Sequence, residues 1–318
     1  MALPDFVIIG SPKASSTALH AALVQHPQLF LSTPKEPKFF MTGGVRPDRR
    51  HQRGPGDAHS AQEWVWRREQ YERLFDPAPP GTLKGESTPF YLWDKDAHPR
   101  LAEAIPSARL IAVIRDPVDR AYSNWTHLWA DGLETERDFL TACRLETRRA
   151  AAGFGPFWRY LELGRYGEQL AHLYEHFPRE QVHVVRYRRL IDEPVQTLDA
   201  IAAFLGIDTG VLTSIPGSNV SNWAHDGRVD ALLRKAIRAG AGLGAHVPPQ
   251  VWRQASRPLL AALHRGGDKR PPLDVEVRRE LVKHYVEDVA LLESLLGEDF
   301  QDWLGDRGRG TYAVRTPT

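Results

Sequence analysis

The chain has 318 residues, 42% of them hydrophobic and 25% charged, which supplies a sizeable core and excludes a disordered or fibrous protein. Lys+Arg 41 against Asp+Glu 40 leaves a formal net charge of +1, so no global field draws the chain to nucleic acid or an anionic membrane, and any anion site has to be local. A lone cysteine, Cys143, excludes an internal disulfide framework, and no apolar run approaches the roughly 20 residues that span a bilayer. Without a signal-type N-terminus, a cytoplasmic protein is expected.

In chain order, the first unit reads as strand, loop and helix: Asp5 to Ile9 is apolar beyond its first residue, Gly10 to Thr17 is small and polar, and Ala18 to His26 carries Leu19, Ala22 and Leu23 at helical spacing before Pro27. Between Gly43 and Ser60 the composition shifts to Gly, Pro, Arg and His, which predicts a mobile loop over one end of a sheet. Arg109 to Ile114 reads as a strand buried on both faces, followed by a helix over Val118 to Trp129. A helix from Tyr166 to Phe177 precedes a third apolar run, Val182 to Tyr187. Beyond about residue 225 the pattern turns helical, with Val229 to Ala239, Gln250 to His264 and Leu273 to Leu296 as the expected segments. Strands alternating with helices predict an α/β fold with a mostly parallel, P-loop-like sheet flanked by helices. The expected organisation is a single domain over 1–318: an α/β core over 1–224 with a loop insertion near 43–66, and a mainly helical C-terminal portion over 225–318.

A small-residue loop between a buried strand and a helix is an anion site in waiting, because backbone N–H groups and the helix N-terminus converge on it. Here that loop is Gly10-Ser-Pro-Lys-Ala-Ser-Ser-Thr17, with Lys13 three residues after Gly10. In the ATPase form of the loop the Lys follows a second Gly, so a standard ATP site is disfavoured. The plainer alternative is a surface turn in which Ser15 or Ser16 caps the helix.

The stretch Phe6 to Leu19 resembles the 5'-phosphosulfate-binding loop of the sulfotransferases that use 3'-phosphoadenosine 5'-phosphosulfate, usually P-K-[STA]-G-T-T. The resemblance continues in order through His26-Pro27, Lys35-Glu-Pro-Lys-Phe-Phe40, Gly85-Glu-Ser-Thr-Pro89, Ile114 to Ser123, Gly164-Arg-Tyr166 and Leu296-Gly297 to Trp303, and is strongest towards the glycosaminoglycan-type members. It implies that Ser11, Pro12, Lys13, Ala14, Ser15, Ser16 and Thr17 bind the nucleotide and that Lys13 also stabilises the leaving oxygen. It further implies that Arg115 and Ser123 hold the 3'-phosphate, a role suited to a guanidinium fork and a helix hydroxyl. The competing expectation pairs Arg115 with Asp116 or Asp119. Arg265, Lys269 and Arg270 are further nucleotide-binding candidates, in a segment that also reads as a solvated turn. Ser15 stands where the family commonly has Gly, and Ser87 where some glycan-acting members have Lys, which weighs against a polysulfated glycan substrate.

The resemblance to the glycosaminoglycan-type members implies that Glu36, which opens the E-x-x-F-F segment, is the catalytic base, with Glu86 as its rival and Lys35 or Lys38 adding positive field; the competing expectation is a surface carboxylate paired with a neighbouring Lys. Arg46 and Trp64 are candidates for substrate contacts. The acceptor is expected to be a hydroxyl or amine of a small or medium-sized molecule; the Ala- and Arg-rich composition points to a bacterial natural product or glycolipid. The chain contains 13 histidines, and His172-Leu-Tyr-Glu-His176 matches the H-x-x-E-H zinc pattern, but it falls inside the Gly-x-Tyr helix and no further ligand stands out, so no metal is expected. Two other functions fit the same loop physics: a P-loop kinase, distinguished by ATP and magnesium dependence, and a non-catalytic relative that binds 3'-phosphoadenosine 5'-phosphate. The oligomeric state is left open.

Overall fold

The computed structural model describes residues 3–47, 64–216, 228–244, 249–263 and 271–306. Its centre is an all-parallel sheet of five strands, β1 (Phe6–Gly10), β2 (Leu29–Leu31), β3 (Leu83–Ser87), β4 (Arg109–Ile114) and β5 (Val182–Arg186), in the order β2-β3-β1-β4-β5. The helices in chain order are α1 (Ser16–Leu23), α2 (Phe39–Thr42), α3 (Arg68–Glu72), α4 (Ala97–Ala104), α5 (Pro117–Ala130), α6 (Phe139–Arg144) and α7 (Glu146–Ala151). They continue with α8 (Tyr166–Tyr174), α9 (Tyr187–Asp192), α10 (Pro194–Leu205), α11 (Arg228–Gly244), α12 (Pro249–Leu263), α13 (Val275–Val282) and α14 (Val286–Leu296). The expected α/β class and mainly helical C-terminal portion are what the structure has. Among the described residues no helix is long and apolar enough to cross a membrane.

Alternate residues of the central strands serve two cores, which is why these strands read as unbroken apolar runs. Phe6 and Ile8 of β1 with Ile111 and Val113 of β4 pack against Leu19 and Leu23 of α1 and Leu198 and Ile201 of α10. Val7, Ile9, Leu110 and Ala112 point the other way, into the larger core with Tyr91, Trp125, Tyr166 and Leu170.

β3 was not foreseen as a strand, because Leu-Lys-Gly-Glu-Ser has no apolar pattern. Its place is set by packing: a Cβ on Gly85 would lie 2.2 Å from the Phe6 ring of the adjacent strand, so only glycine lets β3 lie against β1. The segment expected as one helix from Leu273 to Leu296 is two, α13 and α14, broken where Tyr285 turns inward and its hydroxyl donates to the Leu161 carbonyl at 3.0 Å. α14 then packs on α8. The Asp288 carboxylate accepts from the Gly167 and Glu168 N–H groups at 3.0 and 2.9 Å, satisfying the first turn of α8.

Candidate functional site

Ligands of open α/β sheets bind outside the carboxyl ends of the strands, where neighbouring connections diverge. Here β1, β3 and β4 end side by side, and the segments leaving them carry the residues singled out from the sequence.

The loop after β1 is anchored at both sides. The Ser11 N–H donates to the Val113 carbonyl at 2.7 Å, and the Ser11 hydroxyl meets the Tyr166 hydroxyl at 3.3 Å. Ser11, Pro12, Ala14 and Ser16 are buried, Lys13 and Ser15 half-buried, and Thr17 exposed. Lys13 and Ser15 adopt left-handed backbone at φ 68° and 67°. That conformation favours glycine, the residue that the resemblance leads one to expect at the position of Ser15. Ser15 is the N-cap residue of α1 but makes no side-chain cap, so the capping alternative does not describe this loop.

Arg115 leaves the end of β4 and donates to the Lys13 carbonyl at 3.3 Å, its guanidinium 4.7 Å from the centre of the Tyr187 ring. It does not pair with its neighbouring aspartates. Those are taken by buried Arg278 of α13, at 2.6 Å to Asp116 and 3.3 Å to Asp119, and Asp116 also caps α5 through the Val118 and Asp119 amides. This ion pair leaves the Arg115 fork to the loop. Ser123 is half-exposed on α5, and among the described residues no hydrogen bond joins it to Arg115. Arg265, Lys269 and Arg270 lie outside the described residues.

The third segment follows β2 and lies over the end of β3. The Glu36 N–H donates to the Ser87 carbonyl at 2.9 Å, and the Glu36 carboxylate pairs with Lys35 at 2.5 Å. The two phenylalanines that follow explain how this turn is fixed: Phe39 stacks on Tyr71 at 4.3 Å, and Phe40 meets Tyr71 and Tyr91 edge to face at 5.4 and 5.6 Å. Buried Lys38 places its ammonium 5.1 Å from the Trp64 ring centre and 5.5 Å from that of Phe90. Trp64 thus reaches the site's edge through Lys38. Arg46 is exposed beyond α2, and most of the loop expected near 43–66 lies outside the described residues.

Beneath the turn sits Glu86, fully buried. The Tyr71 and Tyr91 hydroxyls donate to one of its oxygens at 2.8 and 3.0 Å and the Thr88 hydroxyl to the other at 2.7 Å. Burial pushes its carboxyl up to about 7, against the pull of the three hydroxyls. The folded state then holds a proton that the unfolded state gives up at about 4.5, so this contribution to stability is full below pH 4.5 and is lost as the pH rises through about 7. Glu86→Gln removes the titration. Between pH 4.5 and 7 the wild type is expected to lose up to about 3 kcal/mol relative to the variant in urea unfolding; a gap that ignores pH would refute the assignment.

His20 was not singled out from the sequence. One turn into α1, its Nδ1 lies 2.8 Å from the Ser87 hydroxyl. Burial, and then the Lys35 ammonium, lower its pKa to about 4 against the opposing pull of Glu36, so a neutral imidazole faces the Glu36 turn. Nothing in the local sequence marks it, because its partner is 67 positions away.

The model of the sulfotransferase family matches residues 4–210. Human heparan sulfate glucosamine 3-O-sulfotransferase 3B1 is 31% identical over 206 residues, covering 64% of this chain and 46% of that protein. Human bifunctional heparan sulfate N-deacetylase/N-sulfotransferase 3 is 25% identical over 307 residues, covering 88% of this chain and 32% of that protein. The chain thus spans less than half the length of these curated relatives. The crystal structure of a sulfotransferase from Alicyclobacillus acidocaldarius superposes with a TM-score of 0.72 at 27% identity, covering 95% of this chain and 99% of that one.

Proposed function

The chain belongs to the sulfotransferase family, and from that premise we propose that it moves a sulfo group from 3'-phosphoadenosine 5'-phosphosulfate to a hydroxyl of a small or medium-sized acceptor. The observation that carries this reading is the convergence on one sheet edge of the Lys13 loop, the Arg115 fork bonded to that loop, and the Glu36 turn seated on Ser87. The donor supplies an activated sulfur and a phosphate leaving group. Amides of the Gly10–Ser16 loop and the start of α1 would hold its 5'-phosphate, and Arg115 with Ser123 its 3'-phosphate. Lys13 offsets charge building on the departing phosphate oxygen, while the Glu36 carboxylate takes the acceptor proton. The acceptor oxygen gains the sulfur, the bond from sulfur to the phosphate oxygen breaks, and 3'-phosphoadenosine 5'-phosphate leaves. Glu86, with both oxygens engaged by hydroxyls and no exposed surface, serves to seat the turn that carries Glu36.

Ser87 bonded to His20 puts a neutral pair where some glycan-acting members have a lysine, which favours an acceptor without dense sulfation. Incubation with the radiolabelled sulfo donor and a panel of phenols, sugars and amines tests the activity. Label on a hydroxyl acceptor is expected. Phosphoryl transfer from ATP and magnesium would make the chain a kinase, and product-nucleotide binding with no transfer a non-catalytic relative.

The 3'-phosphate assignment has its own test. Arg115→Ala is expected to weaken 3'-phosphoadenosine 5'-phosphate at least about tenfold, or about 1.4 kcal/mol, and to leave adenosine 5'-phosphate unaffected in calorimetry. Equal losses for both nucleotides would mean that Arg115 acts only by holding the Lys13 loop.

A further inference from the structure

Three histidines, His98 of α4 and His172 and His176 at the end of α8, meet in a cluster to which none of the reacting groups above belongs. His98 of α4 is fully buried, and its Nε2 lies 3.0 Å from the Tyr91 carbonyl and 3.2 Å from the Leu92 carbonyl. Carbonyl oxygens only accept, so Nε2 carries the proton. A charged imidazole in that buried position, bonded to carbonyls and a second imidazole, would be costly, so Nδ1 of His98 presents a lone pair. That lone pair faces Nδ1 of His172 at 2.8 Å. His172 Nδ1 must therefore be the donor, and in the neutral ring the remaining nitrogen, Nε2, carries the lone pair. The two carbonyls thus set the tautomer of His172 through His98.

The end of α8 brings two more ligands to that ring. Glu175 and His176, in the turn just past Tyr174, follow His172 by three and four positions, and ligand atoms of the three residues lie within 4.8 Å of one another. Zinc holds imidazole nitrogen at about 2.0–2.1 Å, which sets tetrahedral ligands about 3.4 Å apart, so the ligand atoms have to close by roughly 1.4 Å, which exposed Glu175 and half-exposed His172 and His176 can do by side-chain rotation. We propose that His172, Glu175 and His176 form a binding site for a divalent transition-metal ion of the zinc class, with buried His98 holding the His172 ring in its ligating tautomer. Two neutral imidazoles and one carboxylate suit zinc, nickel or copper and leave one position open to water. A hydrogen bond to the other nitrogen of a ligating histidine is the usual support for such a site.

The site departs from the expectation that the chain holds no metal, and it lies outside the transfer chemistry. Tyr166, which meets the Ser11 hydroxyl, opens α8; His172 is about 9 Å further along the axis. The ion would fasten the far end of the helix whose first residue touches the nucleotide loop.

The untagged full chain, stripped of metal by dialysis, is to be titrated with zinc chloride by calorimetry and with cobalt chloride by visible absorption. One equivalent of zinc, tetrahedral cobalt bands and a zinc-dependent rise in Tm are expected. His172→Ala and the milder His176→Gln should each lower affinity at least about hundredfold, and His98→Gln about 10- to 100-fold with the ligands intact. Circular dichroism verifies folding, and His176→Gln, at a half-exposed position, keeps the test decisive if a buried variant fails. No saturable binding to the wild type, or wild-type affinity in folded His176→Gln, would overturn the site. Full affinity in folded His98→Gln would overturn the tautomer relay.

Discussion

Lys13→Ala is expected to lower the turnover number for sulfo transfer at least about tenfold, equivalent to about 1.4 kcal/mol of transition-state stabilisation. The ammonium stands on a loop whose backbone is fixed independently of it, by the Ser11 amide on Val113, the Ser11 hydroxyl at Tyr166 and the Arg115 fork on the Lys13 carbonyl. Truncation to alanine keeps all three contacts, so the loop persists and the loss falls on the charge. Charge on the bridging oxygen grows only as its bond to sulfur breaks, which places the larger effect on turnover and the smaller on donor affinity. Donor affinity is measured by calorimetry with the product nucleotide, turnover with the labelled donor. Wild-type turnover in the variant would remove Lys13 from the chemistry.

The parts legible in the sequence are those in which one local stretch holds the whole signal. Phe6 to Ile9 and Arg109 to Ile114 announce themselves because burial on both faces demands an unbroken apolar run, and α5 because its apolar face recurs at helical spacing. β3 hides because its inward residues bear the site: Glu86 goes to three hydroxyls, Ser87 to His20, and Gly85 is small to clear Phe6. A strand used for chemistry loses the pattern by which strands are found.

What stays hidden is pairing across distance. Asp116 and Asp119 sit beside Arg115 in the sequence, yet their cation is Arg278, brought from the C-terminal helices, and only this frees Arg115 for the loop. The H-x-x-E-H pattern at His172 was visible but lacked further support in sequence. That support is His98, 74 positions earlier and without a local motif. The phenylalanines after Glu36 read in the sequence as part of a motif, and their physical task, locking the turn onto Tyr71 and Tyr91, emerges only from the ring geometry.

The largest loss is expected from Glu36→Gln, roughly 10² to 10⁴ in the rate of transfer to a hydroxyl acceptor, with product-nucleotide affinity nearly unchanged. Glutamine keeps the length and one accepting oxygen but cannot take a proton. Glu36 is held by its own backbone, through the hydrogen bond its N–H donates to the Ser87 carbonyl and the ring contacts of Phe39 and Phe40, so the substitution does not release the turn. The ion pair with Lys35 is lost, and Lys35→Ala in the same assay measures how much that loss contributes. Glu86→Gln is the matched comparison. It changes a carboxyl whose oxygens are already bonded to Tyr71, Tyr91 and Thr88, so its effect belongs to stability and its pH dependence more than to the proton-transfer step. A pH profile separates the two residues: a base that must be ionised gives an acid limb in kcat/KM that disappears in Glu36→Gln and persists in Glu86→Gln. Normal turnover by Glu36→Gln beside a dead, folded Glu86→Gln would transfer the role of base to Glu86, and full activity in both would mean that the acceptor ionises without help from the protein.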